Sequence, residues 1–250
     1  FHRSAHEASR REALTWSAIW VGMALLFNAG VFWFMGTQAG IEWLTGYLVE
    51  KSLAIDNVFV FLMIFSAFAV PAMYQHRVLF WGVVGALVMR GAMIGLGAAL
   101  IARFDWVIYV FGGILILTAV RMLLAGSEEP DPEKSPVIRL ARRLYPVTPE
   151  LHGERFFVDM RGRRAATPLF LVLLMVESSD VLFAVDSIPA IFAVTQDPFL
   201  VFTSNVFAIL GLRNLYFAIT PLLNRFKYLK QIIVFILAFV GVKMILAHSQ

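Results

Sequence analysis

The sequence contains no cysteine, which excludes disulfides, zinc-thiolate sites and iron–sulfur clusters within these 250 residues. Histidine is also scarce. The five occur at positions 2, 6, 76, 152 and 248, in loops or at the ends of apolar runs, so nothing points to a soft metal. Charge is thin, at 15% of residues where a soluble domain carries about a quarter. The net charge of +4 is modest, and no nucleic-acid partner is expected. No cleavable signal peptide is evident in the opening FHRSAHEASRREAL, which is polar and lacks a starting Met.

What the chain has in abundance is apolar sequence. Hydrophobic residues make up 60% and the mean hydropathy is +0.77. They gather into seven candidate spans, at 16–36, 43–70, 78–101, 104–124, 168–194, 199–223 and 229–247. Each approaches or exceeds the ~20 helical residues that a bilayer requires. An all-α integral membrane protein follows, with the lipid bilayer as its first partner. Both ends look cut, so further spans are expected to flank the visible ones.

Numbering the spans and alternating sides collects 16 of the 21 lysines and arginines on one side. Arg3, Arg10, Arg11, Arg77, Arg121 and Arg225 are among them, with eight more in the loop at 126–166. Positive residues mark the cytoplasmic side, so this loop is expected to be cytoplasmic and the Gln250 end to face away. Within the loop, GSEEPDPEKSP reads as a linker. VIRLARRLYP has helical apolar spacing and is expected along the inner membrane surface. GERFFVDMRGRRAATP reads as a short hairpin turning near Gly162. The segment is either a regulatory or lipid-contacting element or a plain connector.

The sequences on either side of this loop resemble each other. LAIDNVFV at 53–60 lies over FAVDSIPA at 183–190, matching Asp56 with Asp186, Asn57 with Ser187 and, six residues earlier, Glu50 with Asp180. ARF at 102–104 resembles NRF at 224–226, and AVRML at 119–123 resembles GVKMI at 241–245. The division is therefore 1–37 for a polar segment and first span, 38–125 for a three-helix repeat, 126–166 for the loop and 167–250 for the second repeat. Three spans is an odd number, so the second repeat enters the membrane from the opposite face. Inverted repeats of this kind characterise secondary transporters, whose substrate sites lie near the midplane.

The stretch LLMVESSDVLFAVDSIPA, 173–190, holds three acids and a proline among apolar residues. Ionised acids are costly inside a bilayer, so they must face one another, a basic partner or a polar cavity. At ~1.5 Å per residue, Glu50 lies ~10 Å and Asp56 ~20 Å from the outer face. Glu177, Asp180 and Asp186 lie ~14, ~18 and ~27 Å from the inner face of a core ~30 Å thick. Glu50 and Asp180 then share a level near the middle, Asp56 pairs in height with Glu177, and Asp186 sits toward the outside. Glu50 and Asn57 share a helix face, as do Asp180 and Ser187. Asp186 points away from Asp180 in an unbroken helix, so a break near Pro189 is expected to turn it inward. The candidate metal set is Glu50, Asp56, Asn57, Glu177, Asp180, Asp186 and Ser187. Its oxygen donors suit a hard divalent cation. Metal and protons are expected to compete for them.

Other readings apply to the same residues. Arg90 and Arg213, both mid-span, could neutralise two acids in static ion pairs, leaving three, while Lys51 could snorkel outward. Protonated acids could form a proton relay. GAMIGLG at 91–97 has small-residue spacing, which signals close helix packing. The 23 phenylalanines suit a lipid-facing surface.

Two motifs, YLVEKSLAIDNVFVF and LVLLMVESSDVLFAVDSIPAIFAVTQDPFLVFTSNVFAILGLRNLYF, closely resemble the TerC family of integral membrane proteins, especially its Alx-type members. The resemblance covers nearly the whole chain. It implies metal-ion homeostasis, chiefly manganese export across the bacterial inner membrane, and by name tellurium resistance. It also implies that Glu50, Asp56, Glu177, Asp180 and Asp186 are the family's intramembrane acids, and that one more span lies at each end. On this basis Mn²⁺ is expected as cargo, in exchange for protons, with no bound cofactor and no enzymatic activity; the sequence names no protein partner. A membrane scaffold for tellurite or metal-stress complexes is the alternative. An intramembrane aspartyl protease is the other, although its GxGD-type loop is absent.

Overall fold

The computed structural model describes residues 10–124, 135–160 and 162–219, and between 234 and 246 only 234–236, 238–240, 242, 245 and 246. The side chains of Arg10, Asp56 and Met122 are also outside the description. Most of the linker at 126–136, the NRF at 224–226 and much of the span at 229–247 therefore lie outside the described residues.

The described chain is helical apart from one hairpin. The long helices are α1 (Arg10–Met35), α2 (Thr37–Ala67), α3 (Ala72–Arg103) and α4 (Val107–Leu124). A short helix, α5 (Pro136–Leu144), precedes β1 (Phe157–Met160) and β2 (Arg163–Ala166). Then come α6 (Pro168–Phe192), α7 (Pro198–Leu210) and α8 (Leu212–Ile219). Three of the starts are written in the sequence. Pro136, Pro168 and Pro198 each open a helix, where a missing N–H costs nothing. Before Pro198, the Asp197 carboxylate accepts the Phe199 N–H at 2.8 Å and caps α7.

Three helices, α1, α3 and α6, are long and apolar enough to cross a membrane, and α7 with α8 makes a fourth if the bent pair is one span. Helix α2 has the length, at 31 residues, but carries Glu50, Lys51 and Asp56 near its middle. Large side chains on the outer faces are bare, including Trp33, Phe34, Val88 and Leu117. Apolar groups this exposed belong in lipid.

Helix α2 runs against α7, and α3 against α6, with α1 along α2 and α4 along α6. Besides a smaller apolar cluster around Trp43 and Leu200, the interior has two large ones. One gathers Ile94, Leu115, Ile188, Phe192 and Val201; the other gathers Val58, Phe65, Leu79, Val172, Val176 and Tyr216. In a bilayer, close contact matters more than water exclusion. Gly97 lets the Phe192 ring approach α3 to 3.0 Å from where a Cβ would stand, as the small-residue spacing predicts. On the second cluster's side, α5 buries Ile138 and Ala141 against α6. The hairpin turns at Gly162, whose φ of 80° suits glycine.

Two local expectations need correction. Helix α6 does not break near Asp186; it continues through Pro189 to Phe192. The proline is only three residues from the helix end, so little helix follows it, and its own carbonyl accepts the closing Ala193 N–H at 3.0 Å. The interruption falls instead at Gly211, where α7 and α8 bend by 41°. There the Lys51 ammonium donates to the Ala208 carbonyl at 3.2 Å, placing a cation at the C-terminal end of a helix.

Candidate functional site: a buried carboxylate pair on Arg90

Along α3, from Val78 and Leu79 onward, the buried positions are Gly82, Ala86, Arg90, Ile94, Gly97 and Ile101. They recur every three or four residues, which forms one inward stripe. Arg90 sits in the middle of it. Along α6 the same spacing buries Val176, Asp180, Ala184 and Ser187. Helix α2 contributes Glu50 and α7 contributes Asn205. These five polar side chains, from four helices, are each at most 3% exposed.

Arg90 is the hub. Its Nε donates to Asp180 Oδ2 at 3.1 Å and its Nη2 to Asp180 Oδ1 at 2.9 Å. This is the two-pronged geometry in which a guanidinium matches a carboxylate. Its Nη1 donates to Glu50 Oε1, to Ser187 Oγ at 3.2 Å and to Asn205 Oδ1 at 3.5 Å. A buried ion is tolerated only with close, hydrogen-bonded partners. Here two carboxylates share one cation, which leaves one formal negative charge in the cluster. Glu50 Oε2 and Asn205 Nδ2 are buried without a hydrogen-bond partner among the described residues. Along α6, Val176 of the second apolar cluster precedes Asp180 and Ala184 of the first follows it, so apolar layers flank the polar cluster.

The seven candidate ligands therefore separate. Glu50, Asp180 and Ser187 come together as expected, but the Arg90 guanidinium stands between the two acids. Asn57 is buried at 2% exposure but makes no hydrogen bond to the cluster among the described residues. Glu177 is half-buried on α6, its carboxylate pressed where a Cβ on Gly85 of α3 would lie. Asp186 belongs elsewhere: its Oδ1 accepts the Thr118 hydroxyl of α4 at 2.6 Å. The Asp56 side chain lies outside the described residues. Among the described residues no three acidic, histidine or cysteine side chains group as a metal site. Arg213 bonds to His76 Nδ1 at 3.1 Å; of the two arginines that could neutralise acids, Arg90 is the one the described residues pair with them.

Asn205 was not singled out from the sequence. Its signal was present, because TSN at 203–205 interrupts an otherwise apolar span. A narrow cleft lined by Phe61, Leu79, Val83, Asp180, Leu212 and Arg213, among others, has a free volume of about 10 Å³, room for about one water. It runs from Asp180 into the half of the molecule that carries α5.

A model of the Integral membrane protein TerC family matches residues 35–250. The chain belongs to the TerC family. It is 56% identical over 244 residues to the "Uncharacterized membrane protein STKORF319" of Myxococcus xanthus, covering 98% of this chain and 76% of that protein. It is 50% identical over 252 residues to the "Putative membrane-bound redox modulator Alx" of Escherichia coli K12, covering 98% of this chain and 78% of that one. A Rickettsia bellii membrane protein is 39% identical over 247 residues, covering 99% and 82%. No solved structure matches. In this TerC chain the buried Glu50–Arg90–Asp180 cluster falls within the matched segment.

Proposed function

We propose that this TerC protein exports divalent cations, Mn²⁺ foremost, from the cytoplasm across the bacterial inner membrane in exchange for protons. The observation that carries the proposal is the convergence of Glu50 and Asp180, from two separate helices, at one fully buried point. Intramembrane acids mark ion pathways. The cluster's leftover negative charge suits a cation, and its carboxylate, hydroxyl and amide oxygens suit a hard one. The cleft beside Asp180 offers an approach from the side of α5 and the hairpin, which the basic residues assign to the cytoplasm.

Seven visible spans, two inverted three-helix repeats after a preceding helix, fit this reading. Exchanging α2 with α6 and α3 with α7 turns the α2–α7 pairing into the α6–α3 pairing, and both are extensive. The repeat axis would then pass close to Arg90. The bend at Gly211 adds an interrupted helix beside the site, a common feature of such transporters.

An aspartyl-protease chemistry needs two acids sharing a proton, and a guanidinium between them argues against it. The redox role in the printed name of the Escherichia coli relative would reach this chain only indirectly, because 250 residues without cysteine cannot exchange thiols.

The decisive experiment is Mn²⁺ flux into liposomes holding the purified protein, with a proton gradient as driving force. Uptake that follows the gradient and disappears in Glu50→Gln supports the proposal. Uptake equal to that of protein-free liposomes refutes it.

A further inference from the structure

Every oxygen that Arg90 engages is also a donor for a hard cation: both Asp180 oxygens, Glu50 Oε1, Ser187 Oγ and Asn205 Oδ1. A metal ion and the guanidinium cannot hold the same oxygens together. From this geometry we infer that Arg90 is a tethered competitor of the cargo, and that it sets selectivity for divalent over monovalent ions. The inference rests on the transport reading above and assigns a role within that same site.

Charge decides which ions can win. With Arg90 in place, the two carboxylates carry one uncompensated negative charge. A divalent ion that replaces the guanidinium neutralises them fully. A monovalent ion leaves the charge unchanged and loses the guanidinium's fixed fork of hydrogen bonds. Only the divalent exchange gains electrostatically.

The displaced side chain also has a place to go. Glu177 lies three residues before Asp180, about one helical turn away. Its carboxylate rests against Gly85, five residues before Arg90 on α3. Side chains on a helix lean toward its N-terminus, so the long Arg90 side chain leans toward the level along α3 at which the Glu177 carboxylate lies. Among the described residues Glu177 has no hydrogen-bond or ion-pair partner. Arg90 can therefore pass from Asp180 to Glu177 by side-chain rotation, remaining paired with a carboxylate throughout. Glycine at position 85 is what lets that carboxylate stand so close to α3.

The test is Mn²⁺ binding to the full purified chain in detergent, followed by calorimetry and by loss of the free-Mn²⁺ paramagnetic signal. Arg90→Gln removes the competitor. It should bind Mn²⁺ about tenfold or more tightly, the scale of coupling between close buried charges. Potassium should then compete with Mn²⁺ in the variant but not in the parent. Without metal, Arg90→Gln should melt lower, and Mn²⁺ should raise its Tm by more than it raises the parent's. Glu177→Gln takes away the alternative partner. It should weaken Mn²⁺ binding in the parent and have no effect in the Arg90→Gln background, a non-additivity that a double-mutant cycle reads directly.

Equal or weaker binding by Arg90→Gln overturns the inference. So does an Arg90→Gln protein that cannot be recovered even when grown and purified with Mn²⁺, because metal would then be no substitute for the guanidinium. Additive effects of the two substitutions exclude the proposed passage to Glu177. If the parent does not bind Mn²⁺ and matches Glu50→Gln, the transport reading itself has failed. If the parent binds and Glu50→Gln does not, but Arg90→Gln is no tighter, only the competitor role is lost.

Discussion

Asp180 and Asp186 stand on the same helix, six residues apart, in surroundings of similar apolar character. Asp180 is 3% exposed and gripped by Arg90 with two hydrogen bonds. Asp186 is half-buried and bonded to the neutral hydroxyl of Thr118. Six residues turn a helix well past half a revolution, so one acid faces the α2–α3–α7 seam and the other faces α4. Membrane depth alone does not give an acid its role. The charge of its partner, set by helix rotation and by which helix lies alongside, distinguishes a charged centre from a single hydrogen-bonded contact.

The sharpest way to break this comparison is to neutralise each acid. Asp180→Asn should reduce Mn²⁺ flux to background and abolish protection of cells against excess manganese. It should still fold and insert, because Arg90 is left balanced by Glu50; membrane insertion and the melting curve check this. Glu50→Gln should behave in the same way. Normal flux in both would make the cluster purely structural. Asp186→Asn should have a smaller effect, a few-fold slowing in the same flux assay. A loss as complete as that of Asp180→Asn would erase the distinction.

Removing the partner, and not the acid, isolates the hydrogen bond. Thr118→Val deletes the only described donor to Asp186 Oδ1. It should cost about 1 kcal/mol, read as a drop of a few degrees in Tm, with flux largely kept. Gly97→Ala tests the apolar surroundings: its Cβ meets Phe192 at 3.0 Å, and the ring must shift, at a cost near 1 kcal/mol. Gly95→Ala meets nothing within 4 Å and should be neutral to the same melt. The smallest effect belongs to Asp159→Asn on the exposed hairpin, which should leave both flux and Tm unchanged.

Much of the helical plan was legible. Apolar runs and the glycine at 162 marked elements that the structure contains, and the small-residue spacing of GAMIGLG marked close helix packing, which Gly97 makes with Phe192. Counting residues along two helices suggested that Glu50 and Asp180 approach each other, and Arg90 joins them in the structure. The expected break at Pro189 did not materialise, because a proline so near a helix end interrupts little. Asn205 went unnoticed because one amide in an apolar span carries no partner in its own sequence. The Arg90 partnership was read as one neutralising pair among several, when it is the centre of the cluster.

The sequence by itself determined the solvent in which this protein folds, the number of residues available to each helix and the spacing of the acids along it. These follow from local composition and a fixed rise per residue. Only the tertiary structure decided that Arg90 lies between Glu50 and Asp180, that Arg213 turns to His76 and that Asp186 answers to Thr118. Those outcomes depend on the rotation of each helix about its own axis and on which helices become neighbours. Side-chain packing between distant segments sets both, and no single segment encodes it.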